Sequence, residues 1–245
     1  MELHVLGSSS KGNCYLLRGV AETLILEAGI RFSEVKQALD FDLSQVVGCL
    51  VTHEHGDHAK YIDQVIKSGI DVYASEGTFD QFCIANFRSI RVKAKTKFSI
   101  GQFEILPFRA IHDAREPLGF LIKHPECGTL LFATDTHYIP YTFPGLTNIM
   151  VECNYSLDIA NYNIEHGAPK AVRDRVLESH MELETFKEFL QANDTTRLNN
   201  VILLHLSDGN SNAKQFKSEV EKIIPGKQVW IADQGLKINI NQTPF

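Results

Sequence analysis

The sequence predicts an α/β protein in which two β-sheets pack face to face and helices cover the outside. Three observations carry that class. Short apolar runs closed by Gly, Asn or Ser turns occur in both halves of the chain. Segments whose apolar residues recur at three- and four-residue steps lie among and after them. No repeat, low-complexity tract or Pro/Gly/Ser-rich linker divides the 245 residues, so one domain spanning 1–245 is expected. Patterning by itself also fits other α/β arrangements, and the motifs decide between them.

In chain order, strands are expected at Leu3–Leu6, Cys14–Leu17, Thr23–Leu26 and Val46–Thr52, with turns at Gly7–Gly12 and around Gly29. Helices are expected at Ser33–Leu39, from His58 to Ser68 where Gly69 stops it, and at Thr78–Asn86. Further strands follow at Arg91–Ser99, Phe103–Leu106, Leu118–Ile122, Thr129–Thr134 and Asn148–Glu152. Leu183, Phe186, Phe189 and Leu190 make an apolar stripe on one helix, and Phe216, Val220, Ile223 and Ile224 make one on another. Strands at Val201–Leu204, Gln228–Ile231 and Leu236–Ile240 complete the pattern.

Composition excludes several classes. An apolar fraction of 44% with 22% charged residues is that of a globular protein. No apolar run approaches the eighteen or so residues of a membrane span. Met1-Glu2-Leu3-His4 lacks the basic and apolar regions of a signal peptide, so a cytoplasmic location away from membranes is expected. Five scattered cysteines with no C-x-x-C pair argue against a disulfide framework and against a cysteine zinc site. The net charge of −6 gives no global attraction to nucleic acid, so a nucleic-acid enzyme needs a local basic surface.

Histidine is where the composition points to chemistry: ten residues, three of them between positions 53 and 58. His53-x-His55-x-Asp57-His58 follows the apolar run Val46–Val51 and precedes an expected helix. A strand-to-helix loop can gather four such side chains around one point, and Gly56 lets the backbone turn between them. Imidazole and carboxylate donors suit Zn²⁺, Mn²⁺ or Fe²⁺.

This run and its setting resemble the metallo-β-lactamase superfamily, and the resemblance extends along the whole chain. It implies a four-layer αββα sandwich and a hydrolase with two divalent metal ions, Zn²⁺ or Mn²⁺. His112 in Ala110–Ala114, Asp135 after the strand Leu130–Thr134, and His205 in Leu203–Ser207 stand where the family places its later ligands. The resemblance assigns His53, His55 and His112 to one metal, Asp57, His58 and His205 to the other, and Asp135 to both. Two metals about 3.5–4 Å apart can share a hydroxide as nucleophile, with Asp57 orienting it. One position departs from the family: Glu27-Ala28-Gly29 stands where it usually carries Asp-Ala-Gly.

The opening Val5-Leu6-Gly7-Ser8-Ser9-Ser10-Lys11-Gly12-Asn13-Cys14 is similar to the YycJ (WalJ) type within that superfamily, as are Glu152-Cys153-Asn154 and His205–Asn210. That similarity implies a 5′-to-3′ exonuclease acting on nucleic acid, DNA before RNA. His180, ahead of Met181-Glu182-Leu183-Glu184, resembles the extra histidine of phosphodiesterase members such as tRNase Z, which implies a proton donor to the leaving oxygen or a phosphate contact. The alternatives are a small-molecule hydrolase of the same fold, for a lactone, thioester or cyclic phosphodiester, and a non-catalytic binding protein.

Two basic clusters are candidates for a substrate track. Arg91, Lys93, Lys95 and Lys97 would share one face of a strand at a period of two, as lysines guarding a sheet edge also do. Lys170, Arg173 and Arg175 lie just upstream of His180, where they either reach a phosphate backbone or form the polar face of a helix. Asn154 and His166 are expected to line the same cleft.

Overall fold

A computed structural model gives the structure of this chain and describes residues 1–243, apart from the side chains at 171–173 and 175. The first sheet takes β1 (Glu2–Ser9), β2 (Gly12–Arg18), β3 (Thr23–Leu26), β4 (Val46–Leu50), β5 (Val72–Ala74) and β6 (Ser89–Arg91). The second takes β7 (Phe98–Ile100), β8 (Phe103–Arg109), β9 (Leu118–His124), β10 (Gly128–Ala133), β11 (Asn148–Glu152), β12 (Asn200–Leu204) and β13 (Gln228–Ile231). β14 (Lys237–Asn239) then returns to pair with β1. Spatial order is β14-β1-β2-β3-β4-β5-β6 in one sheet and β13-β12-β11-β10-β9-β8-β7 in the other.

Side-chain alternation along the strands builds the layers. Leu24 and Leu26 of β3 enter the core between the sheets, where they join Phe120, Phe132, Met150 and Ile202 of the other sheet. Ile25 instead joins Phe32, Val35, Ile62, Val65 and Phe79 on the outer side. Those residues belong to α1 (Phe32–Ala38), α3 (Ile62–Lys67) and α4 (Glu76–Gln81). On the far side Val201 and Leu203 meet the predicted stripes of α7 (Leu183–Ala192) and α8 (Ala213–Ile223). Helix, sheet, sheet, helix is the expected four-layer order.

Several expected elements differ. The helix from His58 to Ser68 is two, α2 (Gly56–Ala59) and α3, because Tyr61 N donates to Ala28 O rather than continuing the helix. Ser75 caps α4 through Thr78 N, so α4 starts before Thr78 and ends well before Asn86. The strand Arg91–Ser99 does not form. Val92 N still pairs with Ala74 O of the first sheet, whereas Lys95, at φ 66°, pairs with Pro107 O of the second. The segment is therefore the crossover between sheets. Its alternation arises because Val92, Ala94 and Phe98 pack against the inter-sheet core. The four cations consequently do not form a strand face, and Lys97 is paired with Glu104 at 2.5 Å. Two helices not assigned from the pattern, α5 (Leu157–Glu165) and α6 (Lys170–Ser179), stand between β11 and α7. No helix among the described residues is long and apolar enough to cross a membrane.

Candidate metal centre

Parallel pairing decides where the polar residues gather. β3, β4, β5 and β6 run parallel in one sheet, and β10, β11, β12 and β13 in the other. Ligand sites of open α/β sheets form outside the carboxyl ends of such strands. Glu27 follows β3, the run Thr52–His58 follows β4, Asp135 follows β10, Glu152 ends β11 and His205 follows β12. Glu27, Asp135 and His205 each turn the chain through a left-handed conformation, at φ 69°, 48° and 52°.

The seven residues that the sequence singled out as ligands come together. His53, His55, His112 and Asp135 form one group, and Asp57, His58, Asp135 and His205 another, with all donor atoms in each group within 4.8 Å of one another. His55 Nδ1 and His112 Nε2 are 3.1 Å apart, and His58 Nε2 lies 3.3 Å from both Asp57 Oδ2 and Asp135 Oδ2. Donors bound tetrahedrally at about 2.0–2.2 Å are separated by roughly 3.3–3.6 Å, so the spacing is that of a shared cation. Among the described residues, His53 Nε2 and His205 Nε2 are buried without a hydrogen-bond partner. Asp135 belongs to both groups, and the cluster fits a dinuclear site for divalent metals.

Charge argues the same way. Burial pushes the Asp57 and Asp135 carboxyls up, but His205 and His58 outweigh it and hold both well below the usual carboxylate range. Burial pushes the His53 imidazole well down and the His112 imidazole down, which favours their neutral, ligating form. Burial opposes charge on His58 and His205 as well, yet facing Asp135 raises both. The carboxylates thus demand positive charge at this spot, and divalent cations can supply it in place of those protons.

Surrounding residues hold the rings of His53, His58 and His112. Thr52 Oγ1 donates to Glu27 Oε1 at 2.6 Å and lies 2.9 Å from His53 Nδ1, while Glu27 Oε1 is 3.5 Å from His58 Nδ1. Glu27 therefore steadies one histidine in each group, in the place where Asp is usual. Ser179 O, at the end of α6, lies 3.0 Å from His112 Nδ1. Asn13 Nδ2 is 3.1 Å from His58 Nε2 and donates to Asp57 O at 3.3 Å. Gly29 is obligatory here: a Cβ on it would stand 1.7 Å from Asp57 O.

A cleft of about 330 Å³ opens over the cluster, lined by His55, Asp57, His112, Asp135, His180 and His205 among others. His180 Nδ1 contacts Glu152 Oε2 at 3.0 Å, and its ring lies 5.4 Å from that of His205 and 5.7 Å from that of His112. Burial opposes the imidazolium, but Glu152 raises its pKa to about 9. Glu152 is fully buried and its other oxygen accepts from Thr136 N. Sequence reasoning gave it no role, although an acid closing the buried strand Asn148–Val151 was a usable signal.

The expected substrate contacts fare differently. Asn154 is buried, and its amide donates to His205 O at 2.7 Å and sits 3.1 Å from His205 Nδ1, so it supports a ring rather than facing substrate. His166 stacks on Tyr162 with 3.9 Å between centroids and lies outside the set lining the cleft. Lys170 is exposed at the start of α6. The side chains of Arg173 and Arg175 lie outside the described residues, although both positions are on α6, the polar-helix alternative.

The β-lactamase superfamily domain model matches residues 26–206, well over half of the chain. "Exodeoxyribonuclease YycJ" of Bacillus anthracis is 28% identical, over 93% of this chain and 91% of that protein. "Exodeoxyribonuclease WalJ" of Streptococcus pneumoniae is 25% identical, over 84% and 82%. The metallo-β-lactamase fold protein YhfI from Bacillus subtilis superposes with a TM-score of 0.74 at 16% identity, covering 97% of this chain and 98% of that one. The short form of human tRNase Z does so at 0.61 and 14% identity, covering 98% and 99%; both likenesses speak to the fold. The chain belongs to the metallo-β-lactamase superfamily and is a metal-dependent hydrolase.

Proposed function

We propose that the chain hydrolyses phosphodiester bonds of nucleic acid, DNA before RNA, removing nucleotides from the 5′ end. The observation that carries this reading is the Glu152–His180 pair, set at the edge of a cleft floored by two ligand groups that share Asp135. His53, His55 and His112 would hold one divalent cation, Asp57, His58 and His205 the other, and Asp135 both. Bound there, Zn²⁺ or Mn²⁺ ions supply a deprotonated water at neutral pH and offset charge on the phosphate oxygens.

The chain's own groups do the rest. Asp57, at the cleft surface, orients the attacking water. As the new bond to phosphorus forms and the bond to the 3′ oxygen breaks, His180 gives its proton to that oxygen. Glu152 keeps the ring charged and aimed. Lys170, Arg173 and Arg175 on α6, the helix that ends at His180, position the strand. Relatives named exodeoxyribonuclease over most of their length support DNA and terminal cleavage.

Two observations favour a small-molecule ester or lactone instead: the cleft is only about 330 Å³, and the expected row of four cations does not form. A single assay separates the readings. Protein loaded with Mn²⁺ or Zn²⁺ is given end-labelled single- and double-stranded DNA and RNA, with Asp135→Asn as control. Mononucleotides released from the 5′ end of DNA, and absent with the control, are expected. Metal-loaded protein that leaves every polymer intact would refute the nuclease reading.

A further inference from the structure

A second and larger cavity accompanies the cleft over the ligand groups. It lies beside it, with a volume of about 650 Å³, and His205 is the one ligand-group residue that lines both. The β1–β2 hairpin stands between them, with Ser8, Ser9 and Lys11 lining the larger cavity and Ser10 the smaller. Ser8 ties the hairpin to the centre, since its Oγ accepts from His205 N at 3.0 Å and from Tyr15 OH at 2.8 Å. A space of this size is in the range that holds a small molecule or one monomer of a polymer.

Two cations come to its wall on adjoining stretches of chain. Gly12 packs against Gly29 and Ile30, where a Cβ would meet Gly29 O at 2.7 Å, so Lys11 and Arg31 flank one close backbone contact. Both are exposed, and among the described residues neither has a carboxylate within ion-pair distance. The cavity is not a purely cationic sink, because Glu34, Asp208 and Asp233 line it too. Such a wall suits a ligand with an anionic end and hydrogen-bond donors elsewhere. A nucleotide has that description, with its phosphate at Lys11 and Arg31 and its sugar hydroxyl and base amino groups near the carboxylates and the hydroxyls of Ser9 and Ser207.

We infer that this cavity receives the 5′-terminal nucleotide of the substrate, and that Lys11 and Arg31 recognise its terminal phosphate. The inference rests on the nuclease reading and adds what a 5′ exonuclease needs, a site that tells a chain end from a chain interior. Cleavage then severs the bond between the 3′ oxygen of the seated nucleotide and the next phosphorus. Water adds to that phosphorus, and the proton passes to the 3′ oxygen.

The test compares one DNA strand carrying either a 5′-phosphate or a 5′-hydroxyl, in wild-type protein and in Lys11→Gln/Arg31→Gln, all loaded with Mn²⁺. The ratio of the two rates isolates the terminus, because the substrates are otherwise identical. Wild-type protein is expected to prefer the phosphate by about tenfold, the worth of charge-assisted contacts at a partly exposed site, and the variant to lose that preference. Equal rates on both ends by wild-type protein, or a preference kept by the variant, would overturn the assignment while leaving the nuclease reading standing. Wild-type protein that hydrolyses bis(p-nitrophenyl) phosphate but neither DNA removes both together.

Discussion

Shortening Glu27 to Asp tests whether the carboxylate after β3 governs both ligand groups. Its Oε1 accepts from Thr52 Oγ1 at 2.6 Å, Thr52 Oγ1 lies 2.9 Å from His53 Nδ1, and His58 Nδ1 is 3.5 Å from the same oxygen. Glu27→Asp withdraws the carboxylate by one carbon–carbon bond, about 1.5 Å. The contact with His58 then opens toward ~5 Å and the one with Thr52 toward ~4 Å, beyond hydrogen-bond range. Removing such outer support typically costs about 10–100-fold in metal affinity, or roughly 1.4–2.7 kcal/mol. Asp tolerates the left-handed backbone at this position, so the fold itself should survive. The assay is competition for Zn²⁺ against a chromophoric chelator, with a thermal melt of the metal-free protein as the fold control. Affinity within twofold of wild type would refute the argument, because it would mean that neither His53 nor His58 depends on Glu27 for its orientation.

His180→Ala should lower turnover by about 10²–10⁴-fold with metal content per chain unchanged, and Glu152→Gln should lower it less. Loss of metal from His180→Ala, measured by elemental analysis, would instead make His180 a ligand, in the group it forms with Asp135, Glu152 and His205. Chelation should lower the melting temperature by roughly 5–10 °C, since a site at one hundred times its Kd stabilises by about 2.7 kcal/mol and each kcal/mol moves a chain of this size about 2–4 °C. An unchanged melt after verified metal removal would count against resident cations. Gly29→Ala should give insoluble or metal-free protein, because its Cβ would sit 1.7 Å from Asp57 O. A folded, metal-replete variant would show that the ligand loop can move aside.

The elements that sequence patterning placed well are those whose packing repeats locally. Leu183, Phe186, Phe189 and Leu190 lie one above another on α7, so their spacing reports one buried face. The dense run His53–His58 was legible for a similar reason, being a loop of polar residues behind a buried strand. Arg91–Lys97 misled because alternation records only that every second residue meets the core, which a crossover at the sheet margin does as well as a strand. β5 is three residues long, too short to set a period. The roles of Asn13, Thr52, Glu152 and Asn154 were hidden differently. Each depends on a partner distant in the chain, Thr52 on Glu27 twenty-five positions away, Glu152 on His180 twenty-eight and Asn13 on His58 forty-five, and no local pattern encodes such a meeting.

The three left-handed residues at the candidate metal centre show how the sandwich and its site are coupled. A non-glycine residue in that region costs about 1–2 kcal/mol, so Glu27, Asp135 and His205 together store a sum comparable with much of a domain's net stability. Glycine would remove the cost at each position, yet each side chain is engaged: Glu27 with Thr52, Asp135 between His58 and His112, and His205 beside Asp57. The strain is tolerable because a backbone hydrogen bond pins each turn. Glu27 N donates to Leu50 O at 2.8 Å, His205 N to Ser8 Oγ at 3.0 Å, and Thr136 N to the buried Glu152 carboxylate. A strand that ended in a relaxed turn would carry its last side chain onward along the sheet. The left-handed turn instead releases the chain sideways and leaves the side chain over the seam between the sheets, where residues from both can meet around one charge.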